Sequence, residues 1–168
     1  IAVGIHTENR PMEFTPSPNH TSTHEDWGKE NTVGKADILE AHIQKEVMPL
    51  IASTYRTKPP NMAIGHSLGG TFVTNCLIEH PEMFKAVVSI SPNTQKRKKH
   101  RIADLDSPLT NGKAPDSCHC ITAETVGSME KSMRLASDRL NSTYEAHPSE
   151  DLIWGYHTYI GLNHSVTP

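Results

Sequence analysis

The sequence is poor in cysteine, in aromatic residues and in long apolar runs. Its 168 residues include three cysteines and 5% aromatic residues, too little cysteine for a disulfide framework. Cys118 and Cys120 are separated by one residue, which is shorter than the usual zinc-binding Cys-x-x-Cys spacing. No run reaches the roughly 18 consecutive apolar residues typical of a membrane-spanning helix. We therefore expect no metal, no other cofactor and no membrane partner.

Charge also excludes some partners. The formal net charge of −3 gives no electrostatic reason to expect nucleic acid, and the basic run Lys96–Arg101 is predicted to be a solvated surface segment. A hydrophobic content of 35% over residues 1–168 fits one domain with one core. Ile1–Ile5 lacks the features of a signal peptide, and the sequence does not separate a cytoplasmic from a periplasmic location.

Apolar segments alternate with segments of helical periodicity. Helices are predicted at Lys35–Thr54, Thr71–His80 and Gly127–Asn141, the first of them kinked or stopped by Pro49. About five strands are predicted between and around these helices: Ile1–Ile5, Met62–Ile64, Phe84–Ile90, Cys118–Ala123 and Asp151–Ile160. This alternation predicts the α/β class, with a mostly parallel sheet covered by helices on both faces.

The most specific motif follows the second predicted strand. Gly65-His66-Ser67-Leu68-Gly69 matches the G-x-S-x-G pattern of a nucleophile elbow, in which a serine occupies a sharp turn between a strand and a helix. The turn crowds the residues two before and two after the serine, which favours glycine at both. Ser67 is therefore predicted to be a nucleophile, and the backbone N–H of Leu68 to be an oxyanion donor.

A nucleophilic serine needs a base, and α/β-hydrolases have the chain order Ser, acid, His. Among the 11 histidines, His147, His157 and His164 are late enough in the chain. His147 precedes the last predicted strand and His157 lies within it, whereas His164 follows it on a predicted loop, Gly161–Ser165, that contains Gly and Asn. Because ligands bind at the carboxyl ends of parallel strands, His164 is the favoured base.

The acid is predicted on the same topological ground. Glu124 directly follows the predicted strand Cys118–Ala123, at its carboxyl end, whereas Asp116 lies at the opposite end. Glu124 is therefore the favoured partner of His164. The alternative, that Glu124 is an exposed loop residue, remains open.

Several segments resemble the esterase D-like group of the α/β-hydrolase superfamily, and within it the enterobactin and bacillibactin esterase branch. They occur in the family's order over nearly the whole chain: Ala2–Ile5 with Asn9-Arg10, Lys45–Ile51, Ile64–Gly70, Ser89–Pro92 and Asn163–Val166. The resemblance implies a serine esterase acting on a small-molecule ester, with Ser67, His164 and an acid near Glu124. It also implies that Arg10 faces the substrate, although a surface role for Arg10 stays equally open. His66 is expected to contact substrate as well.

The sequence also departs from this family. Members begin with further strands, including the loop that supplies a second oxyanion donor, and they end with a helix after the histidine. We therefore expect a chain truncated at both ends, whose unpaired sheet edges would favour homo-oligomer formation. Two alternatives to ester hydrolysis stay open: a non-catalytic remnant or binding module of this fold, and acyl transfer to an alcohol other than water.

Overall fold

The structure, a computed structural model, describes residues 1–16, 34–92, 117–126, 130–146 and 152–164. The predicted surface run Lys96–Arg101 lies outside these ranges. Within them, no helix is long and apolar enough to cross a bilayer. The elements in chain order are α1 (Arg10–Glu13), α2 (Ala36–His42), a π-helical segment (Ile43–Val47), α3 (Met48–Thr54), β1 (Met62–His66), α4 (Leu68–Glu79), β2 (Ala86–Ile90), β3 (Ser117–Val126), α5 (Glu130–Ala146) and β4 (Leu152–Asn163).

The four strands form one sheet, in the order β1-β2-β3-β4, and every neighbouring pair is parallel. In the register, His66 pairs with Ile90 and Ile90 with Thr122, so β1 and β2 end at the same level. The chain connects β1 to β2 through α4 and β3 to β4 through α5, as parallel pairing requires. The predicted parallel α/β arrangement is therefore confirmed.

The prediction of a strand at Ile1–Ile5 is wrong. This segment has no strand structure, and Ile1 is 79% exposed. An apolar run becomes a strand only where a neighbouring strand satisfies its N–H and C=O groups, and none of the four described strands pairs with it. The described residues thus contain four strands rather than five.

The structure also differs from the prediction that helices cover both faces of the sheet. Ala63 is buried, whereas Met62 and Ile64 on the opposite face are 58% and 60% exposed. Helices of the described part of the chain therefore cover β1 on the Ala63 face.

Pro49 does not stop the first long helix. The chain stays helical from α2 through the π-helical segment to the end of α3 at Thr54. Pro49 has no N–H to donate to the carbonyl group of Lys45, and just before it the N–H of Met48 donates to Ile43, five residues back. Pro49 is accommodated by a wider helical turn.

The core lies between α4, α2 and the first two strands. Cys76 is completely buried there, and desolvation raises the pKa of its thiol, which keeps it protonated and unreactive. The buried cluster comprises Ala36, Ile43, Ala63, Phe72, Val73, Cys76, Leu77, Met83 and Val87.

One carboxyl group lies within this core. Glu40 of α2 is only 3% exposed and accepts hydrogen bonds from Asn75 Nδ2 (2.5 Å) and from Cys76 Sγ (3.7 Å) on α4. His80 Nε2 lies 3.7 Å from its second oxygen. Desolvation raises the pKa of Glu40, and the hydrogen bond from Asn75 opposes that rise without cancelling it. Glu40 therefore connects α2 to α4 through its hydrogen bonds. Because its carboxylate form is desolvated, its contribution to stability falls as the pH rises.

We expect Glu40→Gln to make stability less dependent on pH. A pKa that is raised on folding gives stability that is complete below the unfolded-state pKa, ordinarily near 4.5, and is lost as pH rises through the folded-state value. Glutamine keeps an oxygen for Asn75 but does not ionise. The gain in unfolding free energy from the substitution should therefore grow between pH 4.5 and 8. It should reach about 1.4 kcal/mol for each pH unit by which the folded-state pKa of Glu40 exceeds its unfolded-state pKa.

Urea denaturation across this pH range measures the difference. Glu145→Gln is the matched control, because Glu145 is exposed on α5. Parallel pH profiles for the wild-type chain and Glu40→Gln would contradict the assignment of a raised pKa to Glu40.

Candidate active site

The predicted nucleophile elbow is a turn formed by one residue. β1 ends at His66 and α4 begins at Leu68, so Ser67 alone makes the turn, with φ 58° and ψ −117°. A non-glycine residue in this region costs about 1–3 kcal/mol, which the surroundings must offset. The N–H of Ser67 donates to the carbonyl group of Ile90 (2.9 Å), and the N–H of Thr71 donates to that of Ser67 (3.0 Å). Both sides of the turn are therefore held by backbone hydrogen bonds.

The two motif glycines and the adjacent Gly70 have different roles. A Cβ on Gly65 would fall on the carbonyl group of Gly69 and lie 2.8 Å from the backbone nitrogen of Gly70. A Cβ on Gly70 would lie 2.9 Å from the carbonyl oxygen of Ile90, so the absence of a side chain at Gly70 allows α4 to approach β2 closely. A Cβ on Gly69 would meet no described atom within 4 Å. Crowding at the turn therefore requires glycine at position 65, as predicted. It does not require glycine at position 69, where only the backbone takes part in the contact.

Hydroxyl groups reinforce the contact between α4 and β2. The carbonyl oxygen of Gly70 accepts hydrogen bonds from Thr74 Oγ1 (2.8 Å) and from the buried Ser89 Oγ (2.9 Å). These two hydroxyl oxygens lie 2.9 Å from each other. The first turn of α4 is therefore anchored to β2 directly behind the elbow.

The side chain of Ser67 is directed to His164. A serine at the N-cap of a helix ordinarily accepts a hydrogen bond from the helix backbone, but Ser67 makes no such side-chain cap. Its Oγ lies 2.8 Å from His164 Nε2. With the hydroxyl donating to Nε2, His164 carries its proton on Nδ1. This is the geometry in which a histidine removes the proton of a serine nucleophile.

A bulge near the end of β4 brings His164 to this position. The strand continues to Asn163, so the predicted loop beginning at Gly161 is wrong. Glu124 pairs with Tyr159, but two residues later Val126 pairs with Asn163, so β4 contains extra residues at the bulge. Gly161 lies in the bulge with φ 79°, a conformation that favours glycine.

Two further predicted residues are located by their backbones. Leu68 is the first residue of α4, where an N–H group has no acceptor within the helix and the helix dipole favours negative charge. Glu124 lies within β3 rather than directly after it, because the strand continues to Val126. Its side chain lies outside the described residues. Glu124 is nevertheless near the carboxyl end of β3, beside the strand that precedes His164.

The position of Arg10 is defined by a contact with an aromatic ring, and its role at the substrate stays a prediction. The guanidinium of Arg10 lies over the ring of Phe14, with its Cζ 5.8 Å from the ring centroid, and Phe14 packs in turn on Phe72. Among the other two candidate bases, His157 lies within β4 as predicted, with its ring against Tyr159. His147 lies outside the described residues.

His66 contacts His164, which the motif did not indicate. Its Nε2 lies 3.1 Å from the main-chain oxygen of His164, and the two rings stack with centroids 4.9 Å apart and planes at 29°. Its place directly before Ser67 was the only signal in the sequence. Within the described ranges, no group of three or more His, Cys, Asp and Glu residues is placed to hold a metal ion.

Comparisons with known proteins identify the family and the fold. A family model described as "Putative esterase" matches residues 14–157, which include Ser67 and end before His164. No curated protein matches the sequence. The predicted family resemblance is thereby confirmed.

Solved structures share the fold at low sequence identity. They include the BES protein from Bacillus cereus (22% identity, TM-score 0.76, 99% of this chain and 63% of that one). An IroE-like serine hydrolase from Shewanella oneidensis has 20% identity and a TM-score of 0.76, over 96% of this chain and 53% of that one. The siderophore hydrolase EstA from Aspergillus nidulans has 19% identity and a TM-score of 0.70, over 98% and 63%. The chain thus spans 53–63% of the length of these three proteins.

The elbow contacts predict that Gly65→Ala is strongly destabilising and Gly69→Ala is not. The new methyl group of Gly65→Ala meets backbone atoms of α4 that cannot move without opening the turn. We expect a loss of about 3 kcal/mol or more in the free energy of unfolding, measured by urea denaturation. Gly69→Ala should change stability by less than about 1 kcal/mol. Equal losses in the two variants would contradict this account of the elbow.

Proposed function

Because the chain belongs to the putative esterase family, we propose that it is a serine hydrolase that cleaves carboxylic esters through an acyl-enzyme intermediate. The observation that carries this proposal is the 2.8 Å separation between Ser67 Oγ and His164 Nε2. It supports a nucleophile and a base in contact before any substrate is bound.

The proposed reaction uses each group in turn. Ser67 Oγ attacks the ester carbonyl carbon while its proton passes to His164 Nε2, and the Leu68 N–H donates to the oxyanion that forms. The bond to the alcohol breaks, the alcohol leaves with the proton from His164, and Ser67 keeps the acyl group. Water then attacks the acyl carbon and its proton passes to His164; the bond to Ser67 Oγ breaks, Oγ takes that proton back from His164, and the carboxylic acid is released. Glu124 is proposed to accept a hydrogen bond from His164 Nδ1 and to stabilise the imidazolium.

We propose a small-molecule ester as the substrate. EstA, which shares the fold, is named as a siderophore hydrolase, and siderophore esters are therefore the first class to test. Hydrolysis should be assayed beside p-nitrophenyl acetate, with product analysis in the presence of alcohols to detect acyl transfer.

Ser67→Ala and His164→Ala test the nucleophile and base. A fluorophosphonate probe should form one adduct on the wild-type chain and none on Ser67→Ala. Labelling of His164→Ala should be slower by about 10³-fold or more, because the serine loses its base. His42→Ala, on an exposed face of α2, should label like the wild type. Absence of the adduct on the natively folded wild-type chain would favour the non-catalytic alternative, and an adduct that persists in Ser67→Ala would contradict the nucleophile.

Glu124→Gln tests the acid. An amide of the same shape cannot stabilise the imidazolium, so kcat should fall by about 10²- to 10⁴-fold with little change in KM. Glu145→Gln on the exposed face of α5 is the matched control. An unchanged kcat in Glu124→Gln would remove Glu124 from the site and leave a serine–histidine pair.

A further inference from the structure

We propose that His66 is a positioning residue that fixes the proposed base His164 against Ser67; this inference rests on the function proposed above. It differs from the substrate-binding role that was expected of His66 from the sequence. The proposal stands on two contacts between His66 and His164, one polar and one between the rings.

The polar contact indicates which ring nitrogen of His66 carries a hydrogen. The main-chain oxygen of His164 can only accept a hydrogen bond, so His66 must donate through Nε2–H across the 3.1 Å separation. His66 Nε2 therefore cannot accept a proton from Ser67 or from a substrate. Its ring nitrogen instead limits movement of the backbone of His164, directly after β4.

The ring contact restrains the side chain of the same residue. With centroids 4.9 Å apart and planes at 29°, the ring of His66 covers one face of the His164 imidazole. Rotation of His164 away from Ser67 would break this stacking. The two contacts thus restrain both the backbone and the ring of one residue, which is the support that a precise proton transfer needs.

Sheet geometry explains why such a restraint is needed. β1 and β4 are separated by β2 and β3, which is three interstrand spacings of about 4.8 Å, or about 14 Å in all. His164 reaches Ser67 across this distance from a strand that β1 does not pair with. His66 is the last residue of β1, so it holds the base at the same point of the sheet from which the nucleophile extends.

Three variants of His66 separate the two contacts. His66→Gln keeps an N–H donor for the oxygen of His164 and loses the ring, His66→Phe keeps a ring and loses the donor, and His66→Ala loses both. His66 is exposed, so these changes should leave the fold intact, which thermal denaturation checks. His42→Ala is again the matched control.

We expect phosphonylation of Ser67 to be slower by about 10- to 100-fold in His66→Ala. The loss should be about 2- to 10-fold in His66→Gln and in His66→Phe. With an ester substrate, kcat should fall most in His66→Ala and less in His66→Gln and His66→Phe, while KM stays constant. A raised KM with unchanged kcat would overturn the proposal in favour of substrate binding, and wild-type labelling of His66→Ala would overturn it as well.

NMR of histidine-labelled protein gives a measurement that needs no activity. The ring C–H signals of His164 should move away from their wild-type positions in His66→Ala and His66→Gln, because the stacked ring is removed. In His66→Phe an aromatic ring is retained, so the signals should stay closer to their wild-type positions. If the probe does not label the wild-type chain, the proposed function fails. The NMR signals then test the contact between His66 and His164 independently of any activity. His164 signals that do not move in His66→Ala would then overturn the positioning role.

Discussion

The backbone of Ser67 is the constraint on which the rest of the site depends. Its left-handed conformation exists because β1 and α4 approach so closely that Gly65 lies against the carbonyl group of Gly69. The turn is held from the β2 side, where Ile90 accepts the N–H of Ser67. Strain of this kind persists only where neighbouring structure determines the conformation, and here that structure is almost entirely backbone. The elbow is consequently a property of the packing of β1, α4 and β2.

A second constraint is distance. The proposed base directly follows β4, and it reaches Ser67 only because β4 continues past its predicted end at Ile160 to Asn163 and bulges at Gly161. At the end of this path His164 contacts Ser67 through its Nε2 and His66 through both its main-chain oxygen and its ring. The end of β1 therefore supplies the proposed nucleophile and a restraint on its partner. Neither constraint alone would give a 2.8 Å contact between residues 97 positions apart.

The sequence predicted those parts of the molecule that follow from local pattern and chain order. Ser67 was located by the glycine spacing, and His164 by the requirement that a base follow the last strand. Ile1–Ile5 was predicted wrongly because its apolar composition cannot report whether a partner strand is present. The burial of Glu40 and the stacking of His66 on His164 could not be predicted, because each depends on a residue brought near only by the fold. Strand ends were missed by a few residues, which moved Glu124 from a loop into β3.

The separation of backbone from side-chain roles makes this site tractable. The side chain of Ser67 does not cap α4, and the turn is held through its N–H and carbonyl groups, which every residue type except proline retains. Removing Oγ should therefore leave the elbow intact, so a loss of rate would report chemistry. Gly65 is the opposite case, because a side chain there changes the turn itself. His66 lies between the two: it is exposed and plays no part in the turn's backbone contacts, yet it contacts the residue proposed to take the proton. Substitutions at these three neighbouring positions thus act on three separable properties, which are the formation of the turn, the presence of the proposed nucleophile and the placement of the proposed base.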